Sequence, residues 1–175
     1  MEDILLEPFG GEILGLTVAQ TTYLTAILAA GGLSGFAWAS HVLSRGADPF
    51  RMACRGAWVG IPAFAAVIIS APQASATLFS LGVFFIGYGA GLFGHGTLTA
   101  TMNSAPSGEA GLALGAWGAV QASTAGVAMA LGGIVRDVAA QFVDSASAYS
   151  LVYSLEILLL VSTVLIMSPL VKVKP

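Results

Sequence analysis

One histidine sits in the most glycine-dense stretch of this chain, Gly87-Tyr-Gly-Ala-Gly-Leu-Phe-Gly-His-Gly96, inside a long apolar run. In a membrane span, small residues let another helix or a flat ligand approach the backbone closely. His95 offers a neutral ring nitrogen there, either as a metal ligand or as a hydrogen-bond partner for a neighbouring helix. An ionisable residue within a span is a functional candidate by default. Gly91, Gly94 and Gly96 beside it would leave room for a flat ligand, and helix packing alone also accounts for them. His41 ends an earlier apolar run and reads first as an interfacial residue. Glu156 lies in the last apolar run, where an unpaired charge costs a few kcal/mol. It must therefore meet a partner, a cavity or headgroups, or be protonated; Arg136 and the Gln121 amide are candidate partners. Arg136-Asp137 also reads as a simple helix-end pair.

These residues do not assemble into a catalytic constellation. Two histidines, one cysteine and scattered carboxylates show no metal-ligand spacing, and no Ser/His/Asp arrangement can be drawn. The glycine runs are not phosphate loops, because no strand precedes them and no Lys-Ser/Thr follows. No enzyme is expected. Cys54, the sole cysteine, excludes an intrachain disulfide or a cysteine cage and reads as a small apolar filler.

The elements that must position these side chains are membrane helices. Of the 175 residues 57% are hydrophobic and only 9% charged, and the mean hydropathy is +0.88. Globular domains carry about 25% charge, so the fold class is all-α, a polytopic membrane protein with one transmembrane helical domain over residues 1–175. No basic patch of the density that nucleic acid requires is present. Five spans are expected at about 17–41, 56–71, 75–102, 110–135 and 149–170, and the first is long enough to cross a hydrocarbon core of ~30 Å with some tilt. Gly31/Gly35 and Gly111/Gly115 are Gly-x-x-x-Gly pairs, faces for close helix packing. Trp38, Trp58 and Trp117 suit interfacial belts.

Residues 2–16 carry Glu2, Asp3, Glu7 and Glu12 around Pro8-Phe9-Gly10-Gly11 and read as an extramembrane segment with a turn, lying along the interface. The acidic N-terminus does not read as a signal peptide. With five spans, Arg45, Arg51, Arg55, Lys172 and Lys174 fall on one side and Arg136 on the other. That bias puts the N-terminus outside (periplasmic) and the C-terminus in the cytoplasm, with His41 and His95 both towards the cytoplasmic face.

Several motifs, in order along the chain, resemble one family. Asp3-Ile-Leu-Leu-Glu-Pro-Phe-Gly-Gly11, Thr21-Thr-Tyr-Leu-Thr-Ala26, Gly94-His-Gly-Thr-Leu-Thr99, Gly111-Leu-Ala-Leu-Gly-Ala-Trp-Gly-Ala-Val-Gln121 and Gly132-Gly-Ile-Val-Arg-Asp137 are similar to the PucC/LhaA family, the bacteriochlorophyll-delivery branch of the major facilitators. The loop Arg45-Gly-Ala-Asp-Pro-Phe-Arg51 resembles that between helices eight and nine of a major facilitator. The likeness covers only the C-terminal half of a twelve-helix pattern, and lacks the first helix of that half. The chain is then a region of a longer protein or a remnant beginning at Met1. Alternating access needs two repeats, so transport by this chain alone is not expected.

The resemblance implies a role in assembling light-harvesting complexes in the intracytoplasmic photosynthetic membrane. Bacteriochlorophyll and lipid would be its ligands, with light-harvesting polypeptides and the reaction centre as partners. It makes His95 a candidate axial ligand of the pigment magnesium, with Gly91, Gly94 and His41 around the site. A purely structural subunit docked on such a complex, and a fragment of a facilitator-type transporter, remain the alternatives.

Overall fold

The computed structural model describes residues 2–171, with side chains from Leu5 to Val171. The side chains of Glu2 and Asp3, and Lys172 and Lys174, which enter the charge balance above, lie outside the described residues. Six helices follow one another: α1 (Glu2–Glu12), α2 (Val18–Leu43), α3 (Pro49–Ser70), α4 (Ala76–Ser104), α5 (Ala110–Ala139) and α6 (Ser145–Met167), with a 3-10 turn at Ser168–Leu170. Among the described residues five helices, α2 to α6, are long and apolar enough to cross a membrane. Short polar caps start four of them: Thr17 and Gln20 form a reciprocal capping box on α2, while Asp48, Ser75 and Asp144 cap α3, α4 and α6.

Helix α4 is the centre, with α2 on one side and α3 on the other. The reason is the glycine spacing. A Cβ added at Gly31 or Gly35 would collide with the carbonyl oxygens of Phe84 or Tyr88, and one at Gly87 with that of Leu28. These two parallel helices therefore touch backbone to backbone, which only glycine permits. On the other flank the antiparallel α3 is equally close: a Cβ at Gly89 would stand 2.7 Å from the Gly56 carbonyl oxygen, and one at Gly96 2.8 Å from that of Pro49. Helix α6 covers the outer side of α3. Helix α5 is peripheral, and Gly132 is its one buried residue.

Two sequence expectations are corrected. Residues 2–12 form a helix docked into the bundle, not a turn on the interface. Leu5, Leu6 and Phe9 are buried, and the Phe9 ring meets Phe79 at 5.1 Å, Tyr149 at 5.5 Å and Tyr153 at 5.6 Å. Pro8 lies inside this helix at a cost of ~3 kcal/mol. Each buried apolar side chain contributes about 1.5–3 kcal/mol relative to water, so packing outweighs the proline. Helix α3 starts earlier than expected because Asp48 accepts from the Arg51 N–H at 2.8 Å and Pro49 takes the first helical position. Arg51 and Arg55 thus stand on a helix rather than in a loop.

Candidate functional site

His95 projects from α4 towards α2, where its ring meets Phe36 with centroids 4.2 Å apart and planes at 64°. Its Nδ1 is buried and has no hydrogen-bond partner, leaving Nε2 as the nitrogen available to a ligand. The depth follows from the next residue. Gly96 packs against Pro49 and Ala53 in the first turn of α3, so His95 lies at the level where α3 begins, towards the polar edge of the span. Gly94 is open, with nothing within 4 Å of where a Cβ would stand.

Gly91 behaves differently from the sequence expectation. A Cβ there would strike the Gly32 carbonyl oxygen and lie 2.8 Å from the Phe36 nitrogen. Its missing side chain admits α2, as that of Gly96 admits α3, and neither leaves space for the flat ligand expected there. His41 is exposed in the last turn of α2, five residues or ~7.5 Å along the axis from Phe36. Among the described residues no hydrogen bond or ring contact joins the two histidines, and no three His, Cys, Asp or Glu side chains converge as a metal site.

The remaining polar groups divide into two places. Glu156 reaches a cavity of about 170 Å³ at the α3–α4–α6 seam, lined by Gly56, Gly60, Gly89 and Phe64. Arg136 is committed elsewhere: its Nη2 donates to Glu12 at 2.7 Å and to the Tyr149 hydroxyl at 3.0 Å, and its Nη1 to Asp137 at 2.9 Å. The guanidinium also lies over the Tyr149 ring, 4.8 Å from its centroid. Glu156 is two helical turns, ~10 Å, from Tyr149, so Arg136 is not its partner. The pair with Asp137 is present, and the contact with Glu12 adds a latch that ties α1 to α5 and α6. A second tie joins α1 to α2, where the Thr25 hydroxyl donates to Glu7 at 2.5 Å.

Of the packing glycines, Gly31 and Gly35 face the α4 backbone, whereas Gly111 and Gly115 have nothing within 4 Å. Trp38 and Trp58 are exposed, and Trp117 instead donates from Nε1 to Thr97 at 3.3 Å, fastening α5 to α4. The sequence reading missed a groove of about 900 Å³ between α3 and α4, lined by Arg55, Trp58, Pro62, Leu81, Phe85 and others, with Trp38 of α2 at one end. The signal was present: Arg55, Trp58 and Pro62 recur at i, i+3 and i+7, one face of a helix.

Membrane-length helices locked by glycine-to-backbone contacts, with a half-buried histidine at their edge, define a polytopic α-helical membrane protein. The chain belongs to the PUCC protein family, which matches residues 1–174. Protein PucC of Rhodovulum sulfidophilum is 61% identical over 137 residues, 78% of this chain and 30% of that protein. Protein PucC of Cereibacter sphaeroides is 49% identical over 177 residues, 98% of this chain and 39% of that protein. Protein PucC of Rhodobacter capsulatus is 47% identical over 179 residues, again 98% and 39%. The chain therefore spans about a third of the length of the curated relatives it matches. No solved structure matches.

Proposed function

We propose that this chain takes part in assembling photosynthetic light-harvesting complexes, as a non-catalytic scaffold that contacts bacteriochlorophyll beside the light-harvesting polypeptides. Membership of the PUCC family supports the setting. The observation that carries the pigment contact is His95, half-buried towards the polar edge of the span, with Gly94 open at its side. The magnesium of a chlorophyll-type pigment would be held by a neutral imidazole nitrogen, and His95 is the one imidazole in this part of the bundle. His95 would hold the pigment through Nε2, Gly94 would leave space for the ring, and Phe36 fixes the imidazole plane. Gly91 and His41 have no part in this version of the site. When bound, the pigment supplies the light-absorbing group that a light-harvesting complex requires. The N-terminus would be periplasmic and the site would face the cytoplasmic leaflet of the photosynthetic membrane.

One observation favours a second reading, a structural subunit that holds no pigment. Gly111, Gly115, Gly118 and Gly126 of α5 meet nothing within 4 Å, and such a small-residue face suits a foreign transmembrane helix. The absorption spectrum of the protein purified from phototrophically grown cells separates the two. The pigment reading predicts co-purifying bacteriochlorophyll that falls several-fold in His95→Leu while the helical content is kept. Unchanged pigment in that variant sinks the histidine assignment, and a colourless wild type leaves the structural reading.

A further inference from the structure

We infer that the groove between α3 and α4 holds an acyl chain of one anionic phospholipid, whose phosphate is bound by Arg55 and Arg51. The groove runs from Arg55 to Ala66 along α3, with Leu78, Leu81 and Phe85 of α4 as the facing wall. Eleven residues of helix make ~16 Å, which is half of a ~30 Å hydrocarbon core. The groove thus has the depth of one leaflet. Its polar end carries Arg55, flanked by the exposed Trp38 and Trp58, the residues that settle at headgroup level. A second cavity of about 450 Å³ adjoins it there, lined by Arg51, Arg55, Asp48 and Gly46.

The charge pattern selects the headgroup. Arg51 and Arg55 lie one helical turn apart and are exposed, and neither guanidinium makes an ion pair or side-chain hydrogen bond among the described residues. Asp48 shares the cavity, with its carboxylate oxygen engaged by the Arg51 N–H at the helix cap. Two guanidiniums beside one carboxylate leave a positive excess at the depth of a lipid phosphate.

Other occupants fit less well. A partner transmembrane helix would have to bring an anion of its own to Arg51 and Arg55, whereas an anionic phospholipid carries one in its headgroup. A chlorophyll ring would need an axial ligand, and no histidine or carboxylate lines the groove; His95 faces α2 instead.

The test is native mass spectrometry of the detergent-purified chain, titrated with phosphatidylglycerol and phosphatidylcholine of identical acyl chains. An anionic lipid gains about five-fold per basic residue near the surface, or roughly 30-fold for the pair. The expected result is one phosphatidylglycerol retained with a preference of that order over phosphatidylcholine. The double variant Arg51→Gln/Arg55→Gln should lose the preference, and Arg51→Lys/Arg55→Lys should keep most of it. Ala66→Trp, which fills the apolar end, should weaken retention of both lipids. Equal retention of the two lipids by the wild type overturns the inference, as does a preference that survives in the Gln variant. Glycerol 3-phosphate binding as tightly as the lipid would show an anion site without an acyl-chain groove and would also overturn it.

Discussion

A methyl group added at Gly87 would land on the carbonyl oxygen of Leu28, whereas one added at Gly111 would meet nothing within 4 Å. Gly87→Ala forces the α2 and α4 backbones apart, an overpacking cost of about 1–3 kcal/mol. Gly111→Ala relieves the flexibility of glycine in an exposed helix and contributes up to ~1 kcal/mol. Thermal unfolding in detergent should therefore move down for the first and stay level or move up for the second. Both glycines sit in similar small-residue patterns, and the spacing shows only that a face is small. What covers the face depends on which helix lies opposite, and that is a tertiary fact. The same limit applies at His95. Its ring chemistry was legible in the sequence, but the level of the ring follows from Gly96 meeting the first turn of α3. The closure of Gly91 by Gly32 and Phe36 was invisible for the same reason.

Helix α1 shows how an element escapes a reading by local signals. Pro8, Gly10 and Gly11 all argue for a turn, yet Leu5, Leu6 and Phe9 fall on one buried side and the aromatic rings around Phe9 hold them. Its attachment depends on Arg136 as well as on packing. The side chain of Arg136 is 22% exposed, while those of Glu12 and Asp137 are 46% and 70% exposed, so both carboxylates can rehydrate if the arginine is lost. Arg136→Gln should then cost about 1–2 kcal/mol, below the 3–5 of a fully buried pair. Hydrogen exchange should show the loss as faster opening of α1 while α2 to α4 stay protected. The α6 cap gives a pH dependence. Ser147 donates to the Asp144 carboxylate from its hydroxyl at 2.7 Å and its N–H at 3.0 Å, which holds that carboxyl below the ordinary aspartate range. Because the folded value is the lower one, the cap's contribution is complete above the ordinary value and is lost as pH falls through the depressed one. Exchange in the first turn of α6 should accelerate only on acidification into that low range, and Asp144→Asn should flatten the effect.

For the molecule as a whole, the five spans and their order were legible, because long apolar runs broken by capped polar turns leave few alternatives. The largest boundary shift is at Asp48, whose cap starts α3 at Pro49 and moves the two arginines onto it, and other ends differ by up to four residues. Helix α5 is the whole-molecule anomaly. It has membrane length but one buried residue, so the chain by itself leaves its small-residue face uncovered. On the readings proposed above, that face, the His95 edge and the arginine-headed groove would serve a partner helix, pigment and lipid as three separate surfaces of a scaffold. The most direct test of that account is an in-frame deletion in the host, read as the near-infrared absorbance of whole cells. The account predicts that the light-harvesting bands fall several-fold and return with the wild-type chain but not with Gly87→Leu, in which α2 cannot seat on α4. Light-harvesting bands of normal height in the deletion strain would contradict it.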